Sequence, residues 1–208
     1  MRGNSAVKNK YGLIYADPPW DFDDKKTGGS MKSGAEQVYK NVMTIADIMA
    51  LPVPEIAADN CVLVMWWVGP MPQEAIDTVK AWGFKLKNMN GFVWEKLTRA
   101  NGKLFFGMGH WTRGGAESAI IAVKGKPKRI NASVRSVIRA RVGEHSAKPE
   151  EARKRCVKLV GKDIPRIELF GRGETKKGWH VFGNEYYGDN KVILENGEFT
   201  LEVDKNGN

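Results

Sequence analysis

Apolar residues in this chain fall in short blocks separated by polar, glycine-bearing stretches, and the spacing inside each block assigns an element. Tyr11 to Ala16 is a nearly continuous apolar run that reads as a first strand, stopped abruptly by Asp17-Pro18-Pro19-Trp20. Thr44 stands as an N-cap before a helical face of Ile45, Ile48, Met49 and Leu51, and Pro52 closes that helix. Cys61 to Val68 is apolar throughout, the pattern of a strand buried on both faces in a parallel sheet. Ala75, Ile76, Val79 and Trp82 share one face of a helix over Met71 to Trp82, with Gly83 at the stop position. Shorter strands are predicted at Gly91 to Trp94, Ser118 to Val123, Arg166 to Phe170 and Trp179 to Phe182. A further helix over Pro149 to Val160 carries Glu150 and Glu151 in its first turn and bases toward its end, as the helix dipole favours, and Gly161 stops it. Val192 to Leu194 and Phe199 to Leu201 flank Asn196-Gly197 as a β-hairpin does. Strands alternating with helices predict an α/β open sheet, mostly parallel, with helices on both faces. The main domain is expected to span residues 1–188, with 189–208 a hairpin appendage.

Two long stretches lack periodicity. Asp21 to Gln37, rich in Gly and Ser, reads as a lid beside the rigid turn, and a second loop runs through Asn101-Gly102 and Gly107 to Gly109 to His110-Trp111. At 208 residues and 42% apolar content the chain is long enough for one domain with a sizeable core. The longest apolar run, Cys61 to Val68, is too short to span a bilayer, and Met1 to Lys10 lacks the apolar centre of a secretory signal. Two cysteines in unrelated surroundings match no zinc spacing or disulfide framework, so reduced thiols in a cytoplasmic protein are expected. The net charge of +9 points to a polyanionic partner. From Ser118 to Gly143 there is no acid, while Lys124, Lys126, Lys128, Arg129, Arg135, Arg139 and Arg141 all occur there, a concentration suited to phosphate contacts.

The chemistry is densest at the first turn. Two consecutive prolines hold φ at about −65° and cannot extend a sheet, so the turn is pre-shaped. It offers a fixed carboxylate at Asp17, a fixed carbonyl at Pro18 and an aromatic face at Trp20, groups suited to holding a flat base by its exocyclic amine and stacking on its ring. In open parallel sheets ligands bind beyond the carboxyl ends of the strands. Glu168-Leu169-Phe170-Gly171-Arg172 and Gly183-Asn184-Glu185 supply two more such ends, and Lys148 adds a positive charge just before a helix.

Several motifs in order resemble the MT-A70 family of N6-adenine methyltransferases. They are Asp17-Pro-Pro-Trp20, Gly109-His-Trp111 with the strand after it, Glu144-His-Ser-Ala-Lys-Pro149, and Ile167-Glu-Leu-Phe-Gly-Arg172 with Gly183-Asn184. The resemblance covers nearly all of 11–188 and suggests a compact member of the phage or bacterial kind. It implies a Rossmann-like fold and methyl transfer from S-adenosylmethionine to the N6 amine of adenine, with no metal. It also implies that Asp17, Pro18, Pro19 and Trp20 form the catalytic turn. Asp17, Lys148, Glu168, Phe170, Arg172, Asn184 and Glu185 would hold the cofactor, Lys148 at its carboxylate and Asn184 with Glu185 at its ribose. Glu168 either faces the cofactor or ties down a loop. His110 and Trp111 either gate the base pocket or anchor packing; with the basic segment they are the expected nucleic-acid contacts. DNA is favoured over RNA, and either a monomer or a homodimer is compatible. Asp17 argues against cytosine-N4 chemistry, whose enzymes usually carry Ser at that position. A non-catalytic nucleic-acid-binding subunit is the alternative from another class, and such subunits tend to lose the acid, the lysine or the Asn-Glu pair. Two departures stand out: only ten residues precede the first strand, and 173–177 does not align cleanly.

Overall fold

The structure, a computed structural model, describes residues 5–8, 10–20, 43–107, 109, 111–143, 147–174 and 176–202. The proposed lid at 21–37, His110 and His145 lie outside the described residues.

The chain runs β1 (Ser5–Ala6), β2 (Tyr11–Ala16), α1 (Ile45–Ala50), α2 (Val53–Ile56), β3 (Ala57–Trp67), α3 (Pro72–Ala81), β4 (Lys85–Leu97), β5 (Ala116–Lys124) and β6 (Val137–Arg141). It continues through α4 (Glu150–Val160), β7 (Arg166–Leu169), β8 (Arg172–Glu174), β9 (His180–Phe182), β10 (Glu185–Tyr187), β11 (Lys191–Glu195) and β12 (Glu198–Leu201). Ten of these strands form one sheet in the order β1-β12-β11-β9-β7-β2-β3-β5-β4-β6, and β8 pairs with β10 separately. The strand that leads into Asp17-Pro18-Pro19-Trp20, β2, lies inside the sheet between β7 and β3, parallel to both.

Side-chain alternation along β2 divides the core. Ile14 and Ala16 face a cluster with Ile48 of α1 and Ala75 and Val79 of α3, while Leu13 and Tyr15 face Ala152, Cys156 and Val160 of α4. Helices therefore cover both faces, as expected. The Thr44 cap forms in full: its hydroxyl accepts from the Asp47 N–H, and the Asp47 carboxylate accepts from the Thr44 N–H.

Three features depart from the sequence reading. First, β3 is parallel to β2 on one side but antiparallel to β5 on the other, so the sheet is mixed. An apolar run reports burial on two faces, not the direction of its neighbour. Second, β4 begins at Lys85 rather than Gly91. Its first half is a half-exposed, bulged strand whose polar residues hid it, and Gly91 is required there because a Cβ would meet Ile121 at 2.3 Å. Third, the hairpin forms around Asn196-Gly197 but continues the main sheet. β11 pairs in parallel with β9, and Val192 and Phe199 are buried in the α1/α3 core.

Candidate active site

The carboxyl ends of β2, β7 and β9 share one edge of the sheet. The Asp17 N–H donates to the Leu169 carbonyl (3.3 Å), and the Gly171 N–H donates to the Phe182 carbonyl (3.0 Å), so the three following turns are stitched together. A Cβ on Gly183 would lie 2.0 Å from the Gly171 carbonyl oxygen. Only glycine permits this contact, and it brings 170–172 against 183–185. Phe170 turns the chain at φ 65, a left-handed conformation costly for an aromatic residue, and its ring meets Phe182 edge-on.

Asp17 does not stand alone. The Lys148 ammonium, in the turn before α4, donates to Asp17 Oδ2 at 2.7 Å and lies 3.3 Å from Glu117 Oε2. Glu117 is also ion-paired with Lys96. The result is an alternating row, Asp17, Lys148, Glu117, Lys96, with Lys148 nearly buried. Burial alone would push the Lys148 ammonium down, yet Asp17 and Glu117 hold it above its ordinary value. Burial likewise works to raise the Glu117 carboxyl, but Lys148 and Lys96 prevail and hold it below the ordinary range. The Lys148 ammonium also sits 5.7 Å from the centroid of Trp66.

Sequence reasoning missed Glu117. It sits near the start of β5, and only because β5 runs antiparallel does that start lie at the edge where the neighbouring strands end. The available signal was a lone acid at the head of an apolar strand that then stays free of acids.

Trp20 departs from the open stacking face expected of it. It is 6% exposed, packs in the α1/α3 core, and its indole N–H donates to the Trp66 carbonyl at 2.9 Å. It forms a fixed wall beside Asp17. The Pro18 carbonyl accepts from the Trp20 N–H at 2.9 Å, which fixes its direction and leaves one lone pair for another donor. Trp94, buried and held by the Ala140 carbonyl, lies directly across from Glu117 in the β4–β5 pairing, and the Lys96 ammonium lies 5.2 Å from its ring centroid.

At the end of β7, Glu168 is committed within the protein. Arg153 Nη1 lies 3.2 and 3.3 Å from its two oxygens, and Lys176 Nζ lies 3.7 Å away. It thus ties α4 and the loop after β8 to the end of β7. Burial pushes its pKa up despite those two cations. Asn184 and Glu185 are exposed beside it, with Glu185 Oε2 3.5 Å from Arg172 Nε across the β8–β10 pair. That pair was missed because three-residue strands carry no period.

The basic segment is divided. Lys124, at the end of β5, lies at the opposite edge of the sheet, where its ammonium donates to the Pro54 and Ala57 carbonyls at 3.1 Å. Lys126 is near it, its N–H donating to Asn60 Oδ1, and Lys128 and Arg129 follow, exposed. Arg135 precedes β6, which returns Arg139 and Arg141 toward the catalytic edge beside Glu95 and Leu97. Arg139 pairs with Glu95, and Arg141 donates to the Arg99 carbonyl. Trp111 lies in the loop before β5, fully exposed. Cys61 and Cys156 are buried, and burial pushes both thiols up, that of Cys61 to about 12, which disfavours the thiolate. Among the described residues no helix is long and apolar enough to cross a membrane.

A mixed, largely parallel α/β sheet with helices on both faces and an acid–Pro–Pro–aromatic turn at its strand ends agrees with the S-adenosylmethionine-dependent methyltransferase class that the family match shows. The MT-A70 family profile matches residues 11–185, and the chain belongs to that family. It is 31% identical over 202 residues to the Type II methyltransferase M.MunI of Mycoplasma sp, a match covering 90% of this chain and 82% of that protein. It is 28% identical over 186 residues to the N(6)-adenosine-methyltransferase MT-A70-like protein of Drosophila melanogaster, and 26% identical over 186 residues to the human N(6)-adenosine-methyltransferase catalytic subunit METTL3. Those matches cover 88% of this chain but only 28% and 29% of the two relatives.

Proposed function

We propose that this chain methylates the N6 amine of adenine in DNA, using S-adenosylmethionine. The observation that carries the reading is the Asp17–Lys148 pair at the mouth of a proline-fixed turn. It presents an anion and a cation to a ligand that itself bears an amine and a carboxylate. The donor set at the edge fits the cofactor. Lys148 suits its carboxylate, Asp17 its amine, and exposed Glu185 and Asn184 suit a ribose diol, since a carboxylate only accepts. When bound, the cofactor supplies a methyl group already activated on a sulfonium.

The adenine amine is a poor nucleophile because its lone pair is delocalised into the ring. The Asp17 carboxylate and the remaining lone pair of Pro18 would accept its two N–H groups. That favours pyramidal nitrogen and stabilises the positive charge that grows there as the N–CH3 bond forms, and one of the two N–H protons would then leave through the Asp17 carboxylate to water. Pro19 and Trp20 keep these acceptors still, and positioning supplies much of the rest. Glu117 keeps Lys148 in reach when its bond to Asp17 is exchanged for the cofactor carboxylate. Glu168 orders the cofactor side through Arg153 and Lys176, and Phe170 and Arg172 shape it.

The match to M.MunI, which extends over most of both chains, supports DNA; the N(6)-adenosine-methyltransferase relatives support RNA as the second reading. The test supplies duplex DNA, single-stranded DNA and RNA with labelled cofactor and identifies the modified nucleoside. We expect N6-methyladenine in DNA, lost in Asp17→Ala. Equal activity in Asp17→Ala would sink the mechanism, and methylation of RNA alone would establish the second reading. Nucleic-acid binding with no cofactor binding would indicate a non-catalytic subunit.

A further inference from the structure

The segment between β4 and β5 folds back on the catalytic edge as a hydrogen-bonded hairpin. Phe105 N–H donates to the Lys96 carbonyl (2.9 Å), Lys96 N–H donates to the Gly115 carbonyl (2.9 Å), and Gly107 and Gly114 exchange both bonds (2.9 and 3.2 Å). Gly109 has no room for a side chain, since a Cβ would sit 2.4 Å from the Thr112 carbonyl oxygen. This geometry sorts the side chains. Phe105 turns inward, its ring 5.7 Å from the Lys96 ammonium that pairs with Glu117. Leu104 and Phe106 turn outward, 67% and 75% exposed, and the Arg113 guanidinium lies 5.1 Å from the centroid of Phe106. Trp111, fully exposed, is held at φ 65, a strained conformation for an indole with nothing covering it.

An exposed apolar cluster fixed by such constraints marks an interaction surface. Its surroundings select the occupant. Arg113 stacks on it, and Lys103 and Arg141 lie in the same hairpin or on the adjoining edge strand β6, where Arg139 is paired with Glu95. A second copy of this chain would bring like charge against like charge, whereas a nucleic-acid strand offers phosphates to the cations and ring faces to the aromatics.

We propose that Leu104, Phe106 and Arg113, with Trp111, form a stacking platform for the DNA bases beside the target adenine, exposed when that adenine leaves the helix. The proposal rests on the adenine-methylation reading above and deepens it. Extruding a base costs stacking energy, and a ring presented at the vacated step offsets it. Through Phe105 and Lys96 the platform is physically joined to Glu117 and so to Lys148.

The test compares wild type with Phe106→Ala, Phe106→Tyr and Arg113→Gln in a DNA duplex carrying 2-aminopurine at the target position. Cofactor binding is measured by calorimetry and oligomeric state by sedimentation. Phe106→Ala and Arg113→Gln should weaken duplex binding about tenfold or more and lower the 2-aminopurine signal. Phe106→Tyr should stay within about twofold, and cofactor affinity should be unchanged in all. Undiminished duplex binding by Phe106→Ala would overturn the platform while leaving adenine methylation by wild type intact. So would a wild-type dimer that Phe106→Ala dissociates without change in DNA affinity, which would assign the surface to a second copy. Wild type that neither binds nor methylates adenine-containing DNA would overturn the underlying reading together with the platform.

Discussion

Lys148 has two carboxylates within reach and little solvent, and its replacement should show what the row of charges is for. Lys148→Met leaves Asp17 and Glu117 facing a neutral chain, and breaking a buried pair costs about 3–5 kcal/mol. A lowered melting temperature and loss of cofactor binding by calorimetry are expected. Glu117 gives a sharper, pH-resolved test. Its folded pKa lies below the ordinary 4.5, so its stabilisation is present above that pH and is lost as pH falls through the folded value. The Lys148 contribution has the opposite sense: present below 10.5 and lost as pH rises through its higher folded value. Melts of wild type and Glu117→Gln should therefore differ at neutral pH and converge in acid; a constant gap down to low pH would remove Glu117 from the row. At this scale the sequence was legible where geometry is set by one contiguous motif, as in the rigid turn at Asp17-Pro18-Pro19. It was illegible where a residue's role depends on a neighbour's direction, as at Glu117, or on its depth, as at Trp20.

Among the elements, the contact between the turns after β7 and β9 is the tightest constraint. Gly183→Ala would place a methyl group 2.0 Å from the Gly171 carbonyl, so the two turns must part and the Asn184-Glu185 corner must move. Cofactor affinity should fall by an order of magnitude or more. Gly69→Ala, where a Cβ meets nothing within 4 Å, should change stability by no more than about 0.5 kcal/mol. The hairpin offers a second test at this scale. Phe199 is buried against Phe182, 5.1 Å between centroids, so Phe199→Ala should destabilise the whole domain by about 3–5 kcal/mol in denaturant unfolding, as a core residue does. A separately melting hairpin would argue the reverse. The hairpin's turn was plain in Asn196-Gly197, but its place in the sheet was not, because the parallel pairing of β11 with β9 rests on Lys191 opposite Val181 and Val192 opposite Phe182, too short a ladder to leave a pattern in β11.

Over the whole molecule, a single basic segment in sequence becomes two groups at opposite edges of the sheet, because β5 carries the chain away from the site and β6 brings it back. The salt dependence of DNA binding separates them. Neutralising Arg139 or Arg141 should reduce the slope of log affinity against log salt by about one each, while Lys126 or Lys128 to Gln should leave it unchanged. Fold class and helix faces were readable because alternation is local. The division of charge was not, because it depends on which way each strand runs.

The partners at the catalytic edge are separated by most of the chain: Lys148 lies 131 residues after Asp17, and the carbonyl that receives the Asp17 N–H belongs to Leu169. A central strand made first must wait for a neighbour made near the end. Closing so long a loop costs chain entropy before the contact gives any return, which slows folding of the sheet. A chain growing from the ribosome carries the Asp17 turn for most of its synthesis before Lys148, its ion-pair partner, has been made.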